Sequence, residues 1–261
     1  MLLSGDSLRS SHSDISGFAG NASGKDGQLT KDTNEVAAEA DANGKSLLGD
    51  IAYSRILETL FEGKIPAGAF LSQKELVQLV DVPMTPVRDA LKILEAEGIL
   101  VVHPRSGIQF VKPGLELTRS TFQFRIILER AAAGAYAEIA DKSELDRIEG
   151  RHLAAIDRIE SKGLGSRVRN EVEDLETLLH STIVHGLANP LIENTYQRLH
   201  NYVRLIRLDR KVTAALVIRS LREHLKIVRA CKARDSEAAA AAMQAHLTAA
   251  LQRSLGFYEH W

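Results

Sequence analysis

Two short helical patterns separated by a break, all within Leu71–Gly98, limit most sharply what this chain can fold into. Ser72 and Glu75 form an S-x-x-E capping box, which marks a helix N-terminus. Leu76, Leu79 and Val80 follow at helical spacing. Asp81-Val82-Pro83 interrupts the pattern, because the residue before a proline is pushed out of the helical region. A second helix starts at once, with Thr85 placed to cap it and Pro86 suited to its first position. Val87, Ala90, Leu91 and Leu94 give that helix one buried face, and Arg88, Lys92 and Glu95 lie off it. Gly98 is placed to end the helix. Ile99–Val102 and Ile108–Val111 are β-rich runs around a turn-rich tip, His103–Gly107.

Helix, turn, helix and wing predict a winged helix-turn-helix. In such a domain the second helix enters the major groove and its first residues reach base edges. That points to Thr85 and Arg88; an arginine fork matches guanine O6 and N7. Arg105 at the wing tip is placed to meet the flanking backbone or the minor groove. The plainer alternative is a helical hairpin with solvated charges. Leu47–Lys112 holds seven basic and eight acidic side chains, so phosphate binding needs a local patch, doubled in a dimer.

The rest of the chain is read against this head. With 261 residues and 44% hydrophobic content it is long enough for two cored domains. It has no apolar run able to cross a bilayer and no secretory pattern, so a cytoplasmic location without a membrane partner is expected. Its single cysteine, Cys231, excludes an intramolecular disulfide and sits on an apolar helical stripe. Residues 1–46, rich in Ser, Gly, Asp, Asn and Ala, are expected to form a disordered tail. The winged head spans 47–112 and opens with a helix from Leu47 to Glu62. Lys112-Pro113-Gly114 breaks the chain before a second domain over 113–261.

That second domain reads as helical throughout, in about six segments: 116–140, 143–160, 169–187, 190–210, 214–233 and 235–255. The predicted fold class is therefore mostly α, a winged helix-turn-helix followed by an all-α antiparallel bundle. Glu176 and His180, four apart, share one helix face, and His224 and His246 lie on two later helices. An antiparallel bundle can bring the four together. Three imidazoles and a carboxylate suit a divalent ion, Zn²⁺ first, with Ni²⁺ or Mn²⁺ as alternatives. Histidines in helices are also commonly plain surface or core residues, and His185 and His200 are read so. A zinc hydrolase is a further reading, although no His-Glu-x-x-His and no nucleophile elbow is present.

At the level of motifs, Ile65-Pro66-Ala67-Gly68, TPVRDALKILEAEGIL and HPRSG resemble the N-terminal domain of the GntR superfamily of bacterial transcription regulators. The resemblance implies Lys74, Thr85, Arg88 and Arg105 as DNA contacts, with Pro83 and Met84 where the family has Ser-Arg. TLLHSTIVHGLANPLI and REHLKIVRACKARDSEAAAAAMQAHL resemble the ligand-binding FCD domain of the FadR branch. Many of its members hold a divalent metal through one Asp and three His. His180, His224 and His246 match, and Glu176 stands at the acidic position. FRIILERAAAGAYAEIA matches the start of that domain, which makes Arg125 a partner for an effector carboxylate or, alternatively, an ion-pair partner of Glu129. Arg204 and Arg207 are further effector candidates. Six bundle helices with a short lead-in resemble the VanR-type subgroup. What the resemblance implies is a homodimeric repressor of double-stranded operator DNA, released by a small organic acid. A sensor of the metal itself is the alternative.

Overall fold

A computed structural model gives the structure of the chain over residues 47–208 and 212–256. The expectation of a tail over residues 1–46 lies outside the described residues. The described chain opens with α1, residues 47–61, whose inward stripe Ala52, Ile56 and Leu60 is fully buried. After the turn at Pro66 come β1 (Phe70–Leu71), α2 (Gln73–Val80), α3 (Met84–Ala96), β2 (Leu100–His103) and β3 (Gly107–Phe110).

The capping box forms: the Glu75 amide donates to Ser72 Oγ at 3.2 Å, and the Ser72 amide donates to Glu75 Oε2 at 2.7 Å. α2 ends where Asp81 takes a left-handed conformation (φ 50°), a shape that aspartate tolerates better than most residues. α3 starts two residues earlier than the pattern suggested. Pro83 holds the cap position, with no side-chain cap, and Thr85 sits inside the first turn. Pro86 is tolerated there because the first amides of a helix have no intrahelical partner to lose. The wing is an antiparallel sheet of order β1-β3-β2, with Val102 opposite Ile108 and Leu71 opposite the same residue from the other side. β1 was not foreseen; two residues carry no alternation to detect.

The bundle consists of α4 (Leu115–Ile139), α5 (Lys142–Lys162), α6 (Ser166–His185), α7 (Pro190–Arg207), α8 (Ala214–Lys232) and α9 (Ser236–Ser254). Its helix starts are set by the expected turn residues. Asp141, Asn189, Thr213 and Asp235 each accept a hydrogen bond from a first-turn amide of the helix that follows. α4 and α9 approach closely at Gly134, where the Ser236 hydroxyl donates to the Gly134 carbonyl at 2.9 Å. The alanine run of α9 keeps that contact short, since a Cβ at Gly134 would lie 3.6 Å from Ala240 Cβ. Two apolar clusters fill the bundle: one around Tyr136, Ile148, Ile183 and Met243, the other around Ile156, Leu175, Leu221 and Leu225. Among the described residues no helix is long and apolar enough to cross a membrane.

The head and the bundle share α7. Leu205, 1% exposed, belongs to the head core with Leu60, Leu94 and Ile99, and Tyr202 packs against that core. The Tyr202 hydroxyl donates to the Glu97 carbonyl, Arg198 Nη2 donates to the Ala96 carbonyl at 3.1 Å, and Asn201 Nδ2 donates to the Tyr53 hydroxyl at 3.1 Å. Gly98 makes this seam possible. It follows α3 with φ +75°, and a Cβ there would lie 2.5 Å from the Tyr202 oxygen.

Gly98→Ala is therefore expected to destabilise the protein by about 1–2 kcal/mol from the left-handed backbone alone, with the Tyr202 clash added. Urea denaturation is the measurement. Tyr202→Phe in the same chain should recover part of the loss; no recovery would mean that the clash is not felt.

Candidate functional site

The four residues singled out by spacing meet in the bundle. Glu176 and His180 come from α6, His224 from α8 and His246 from α9. All four are buried, and one donor atom from each lies within 4.8 Å of the others. Asp174, two residues before Glu176, is exposed, as the helical spacing requires.

Each histidine is tied on its outer side. His180 Nδ1 donates to Glu129 of α4, whose carboxylate is also gripped by Arg125 Nε at 2.6 Å. His246 Nδ1 donates to Glu223 Oε2 at 2.9 Å, and Arg253 holds both oxygens of that carboxylate at 2.9 and 2.8 Å. His224 Nδ1 meets His152 Nε2 at 3.1 Å, and His152 Nδ1 donates to the Ile148 carbonyl at 2.8 Å. The inner nitrogens then face one another. His224 Nε2 and His246 Nε2 are 3.3 Å apart, and His180 Nε2 is buried without any hydrogen-bond partner.

Charge states follow from burial and neighbours. Burial opposes the Glu129 carboxylate, but Arg125 and His180 outweigh it and hold its pKa below the usual carboxylate range. Burial likewise opposes ionisation of Glu223, yet the hydrogen bonds from His246 and Arg253 bring its pKa down to about 2. Burial pushes His224 well below the ordinary histidine value, against the pull of Glu176. It lowers His246 too, opposed by the bond to Glu223. With Glu129 and Glu223 ionised, Nδ1 of His180 and His246 must be the donors, so a neutral ring leaves Nε2 bare.

With its proton on the His152 side, His224 would set a second lone pair 3.3 Å from that of His246, an arrangement that a cation between them relieves. Two nitrogens each at about 2.05 Å from a tetrahedral zinc ion lie roughly 3.3 Å apart, so the spacing fits such an ion. Glu176 Oε1 is 3.6 Å from His224 Nε2 and supplies the oxygen donor. Burial disfavours the charged Glu176, but Arg207 and His224 outweigh it and hold its pKa well below the usual range. Ser220 Oγ donates to Oε1 at 2.8 Å, and Arg207 Nη2 donates to Oε2 at 2.5 Å. The group can hold a divalent metal ion.

A cavity of about 280 Å³ opens beside Glu176. Arg169, Arg204, Arg207 and Arg253 supply the positive charge on its wall, and Val172, Leu216 and Val217 supply apolar surface. Phe61, the last residue of α1, also lines it. The Arg204 guanidinium lies 3.9 Å from the centre of the Phe61 ring, a cation–π contact between head and bundle. Arg125 lies elsewhere, buried against Glu129, with its Nη1 left without a partner. The ion-pair alternative for Arg125 is thus realised, and one donor remains free.

In the head, Lys74, Thr85, Arg88 and Arg105 are all exposed. Arg88 Nε donates to Gln73 Oε1 at 3.1 Å, which holds the guanidinium over the start of α2. Arg105 sits at the wing tip in a left-handed turn (φ 66°). Sequence reasoning missed Glu129 as a partner of His180, and it missed His152, Glu223, Ser220 and Arg253 entirely. His152 alone left a trace, a histidine on the apolar stripe of Leu145, Ile148, Ala155 and Ile156.

Comparison with known proteins agrees with this architecture. Residues 48–110 match the family model for bacterial regulatory proteins of the gntR family, and residues 120–249 match that for the FCD domain. The chain is 28% identical over 212 residues to the HTH-type transcriptional repressor RspR of Escherichia coli K12, covering 81% of this chain and 91% of RspR. It is 23% identical over 199 residues to the HTH-type transcriptional regulator YdhC of Bacillus subtilis 168, covering 74% and 85%. Among solved structures, McbR/YncC of E. coli shares the fold with a TM-score of 0.66 at 19% identity, over 81% of this chain and 99% of that one. A GntR regulator from Rhodococcus sp. RHA1 does so with a TM-score of 0.65 at 20% identity, over 82% and 100%. The matched families are regulators, which sets the hydrolase reading aside. A GntR head followed by an FCD bundle covers most of the described residues, and the chain belongs to the GntR family of bacterial regulatory proteins, in its FCD-bearing branch.

Proposed function

We propose that this chain is a homodimeric repressor of operator DNA, released by a small organic acid that binds beside a divalent metal ion. The head spans 47–112 and the effector domain 113–261, of the VanR-type subgroup. The observation that carries the metal is the convergence of bare imidazole nitrogens on Glu176. Glu176, His180, His224 and His246 hold the ion, with zinc favoured by a donor set of three nitrogens and one oxygen. By expanding its coordination beyond these four ligands, such an ion would supply a Lewis-acid position for a carboxylate.

The arginines of the cavity face the same anion. Arg204 and Arg207 sit on α7 and reach it from one side. Arg125 Nη1 is a further donor, buried beyond Glu129. Because α7 also carries Tyr202 and Leu205 into the head, an acid that draws Arg204 or Arg207 inward moves a helix on which the head rests. Such a shift biases the head between arrangements that do and do not fit paired half-sites. In the DNA-bound arrangement, Thr85 and Arg88 read the major groove, and Lys74 and Arg105 hold the backbone.

One observation favours a second reading, with the metal as the signal. Arg207 holds Glu176 Oε2 at 2.5 Å, while Oε1 of the same carboxylate faces the candidate site. An ion that claims Glu176 competes with Arg207 and reaches α7 directly.

Elemental analysis of the purified protein should find about one ion per chain, since the donor atoms form a single four-ligand site. His180→Ala should lose it. Metal-free wild type from a chelator-free preparation would sink the metal claim. Arg88→Ala should weaken operator binding by about 1–3 kcal/mol in a titration at fixed salt. Arg204→Ala should raise the acid concentration needed for half-release by about tenfold or more, the worth of a charged hydrogen bond. Release of operator by zinc or chelator alone, with no acid present, would favour the metal-sensor reading.

A further inference from the structure

The ring ties described above form a pattern. Three carboxylates surround the centre, and each has its own arginine: Glu129 with Arg125, Glu223 with Arg253, and Glu176 with Arg207. Two of them also hold the outer nitrogens of His180 and His246. His224 is the exception. Its outer nitrogen faces no carboxylate but the neutral ring of His152, on α5. A carboxylate at position 152 would be a fourth buried negative charge, and the arginines named are already taken.

We propose that His152 is a positioning residue that fixes the tautomer of His224 and turns its bare Nε2 toward the metal. The direction of the relay is set at its far end. The Ile148 carbonyl can only accept, so His152 Nδ1 carries the proton of that ring. A neutral His152 then has a lone pair on Nε2, and His224 Nδ1 must donate to it across 3.1 Å. The proton of His224 is thereby held on its outer side. Both rings are fully buried, so water offers no substitute partner. Without an acceptor at 152, the proton of His224 is free to move to Nε2 and blocks one ligand position. The inference rests on the metal reading for its purpose, but the tautomer it assigns stands in the protein without metal.

The test uses full-length protein labelled with ¹⁵N-histidine and stripped with chelator. Long-range ¹H–¹⁵N spectra report the tautomer of each ring. The expected result for wild type is His224 protonated on Nδ1. In His152→Leu the ring should shift toward Nε2 protonation. In His152→Gln, whose side-chain oxygen reaches near the same point, Nδ1 protonation should return. In parallel, competition with a chromophoric zinc chelator should show about 10–100-fold weaker zinc binding in His152→Leu, with most of it restored in His152→Gln. His224 protonated on Nε2 in stripped wild type overturns the proposal. So does a His152→Leu protein with wild-type tautomer and zinc affinity, or a His152→Gln protein no better than Leu. Wild type that binds no zinc yet shows the assigned tautomer removes the metal reading and leaves His152 as the residue that orients His224.

Discussion

Lone pairs repel, and this bundle is assembled around three of them. Nε2 of His180, His224 and His246 are held inward in a site closed to water, and nothing in the rings themselves favours that arrangement. It persists because every ring is fastened from behind. α4 contributes Glu129 and α5 contributes His152, so two helices that carry no inner nitrogen still determine where those nitrogens point, and α8 contributes Glu223 to the ring on α9. The carboxylates in turn would be costly to bury alone, and their arginines make burial tolerable more than favourable. The centre therefore organises the bundle's polar contacts, while the apolar clusters on either side supply the cohesion.

Much of this was legible from the residues. The break at Asp81-Val82-Pro83 and the box at Ser72 and Glu75 marked the helix-turn-helix, and four of the six bundle helices began at polar caps, the other two after Gly114 and Gly165. Glu176 and His180 were legible because four residues make one helical turn. His224 and His246 lie at matching depths of two later helices, although family resemblance was needed to choose them among nine histidines. What stayed hidden is of another kind. Glu129, His152 and Glu223 act on histidines far away in the chain, and no local period encodes a partner on a different helix. Thr85 was misplaced by two positions because proline at 83 and proline at 86 both satisfy the start of a helix, and only the geometry chooses between them.

The cavity shows the same division. Its arginines come from α6, α7 and α9, so their meeting is a property of the packing and not of a motif. Arg204 was foreseen and lies on the wall; Arg125 was foreseen with two alternatives, and its bond to Glu129 ties it into the histidine network instead. Arg125 thus serves the histidine network alone, while Arg207 and Arg253 line the cavity and also hold Glu176 and Glu223.

Leu205 has an implication for how the protein is made. It completes the core of a head whose other residues emerge from the ribosome far earlier. Until α7 has been synthesised, the nascent head carries an uncovered apolar spot between α1 and α3, and the carbonyls of Ala96 and Glu97 lack the partners they have in the finished chain. The winged head thus reaches its final form only once most of the FCD bundle exists. A truncated product, ending before α7, would hold a recognition helix without the surface that steadies it.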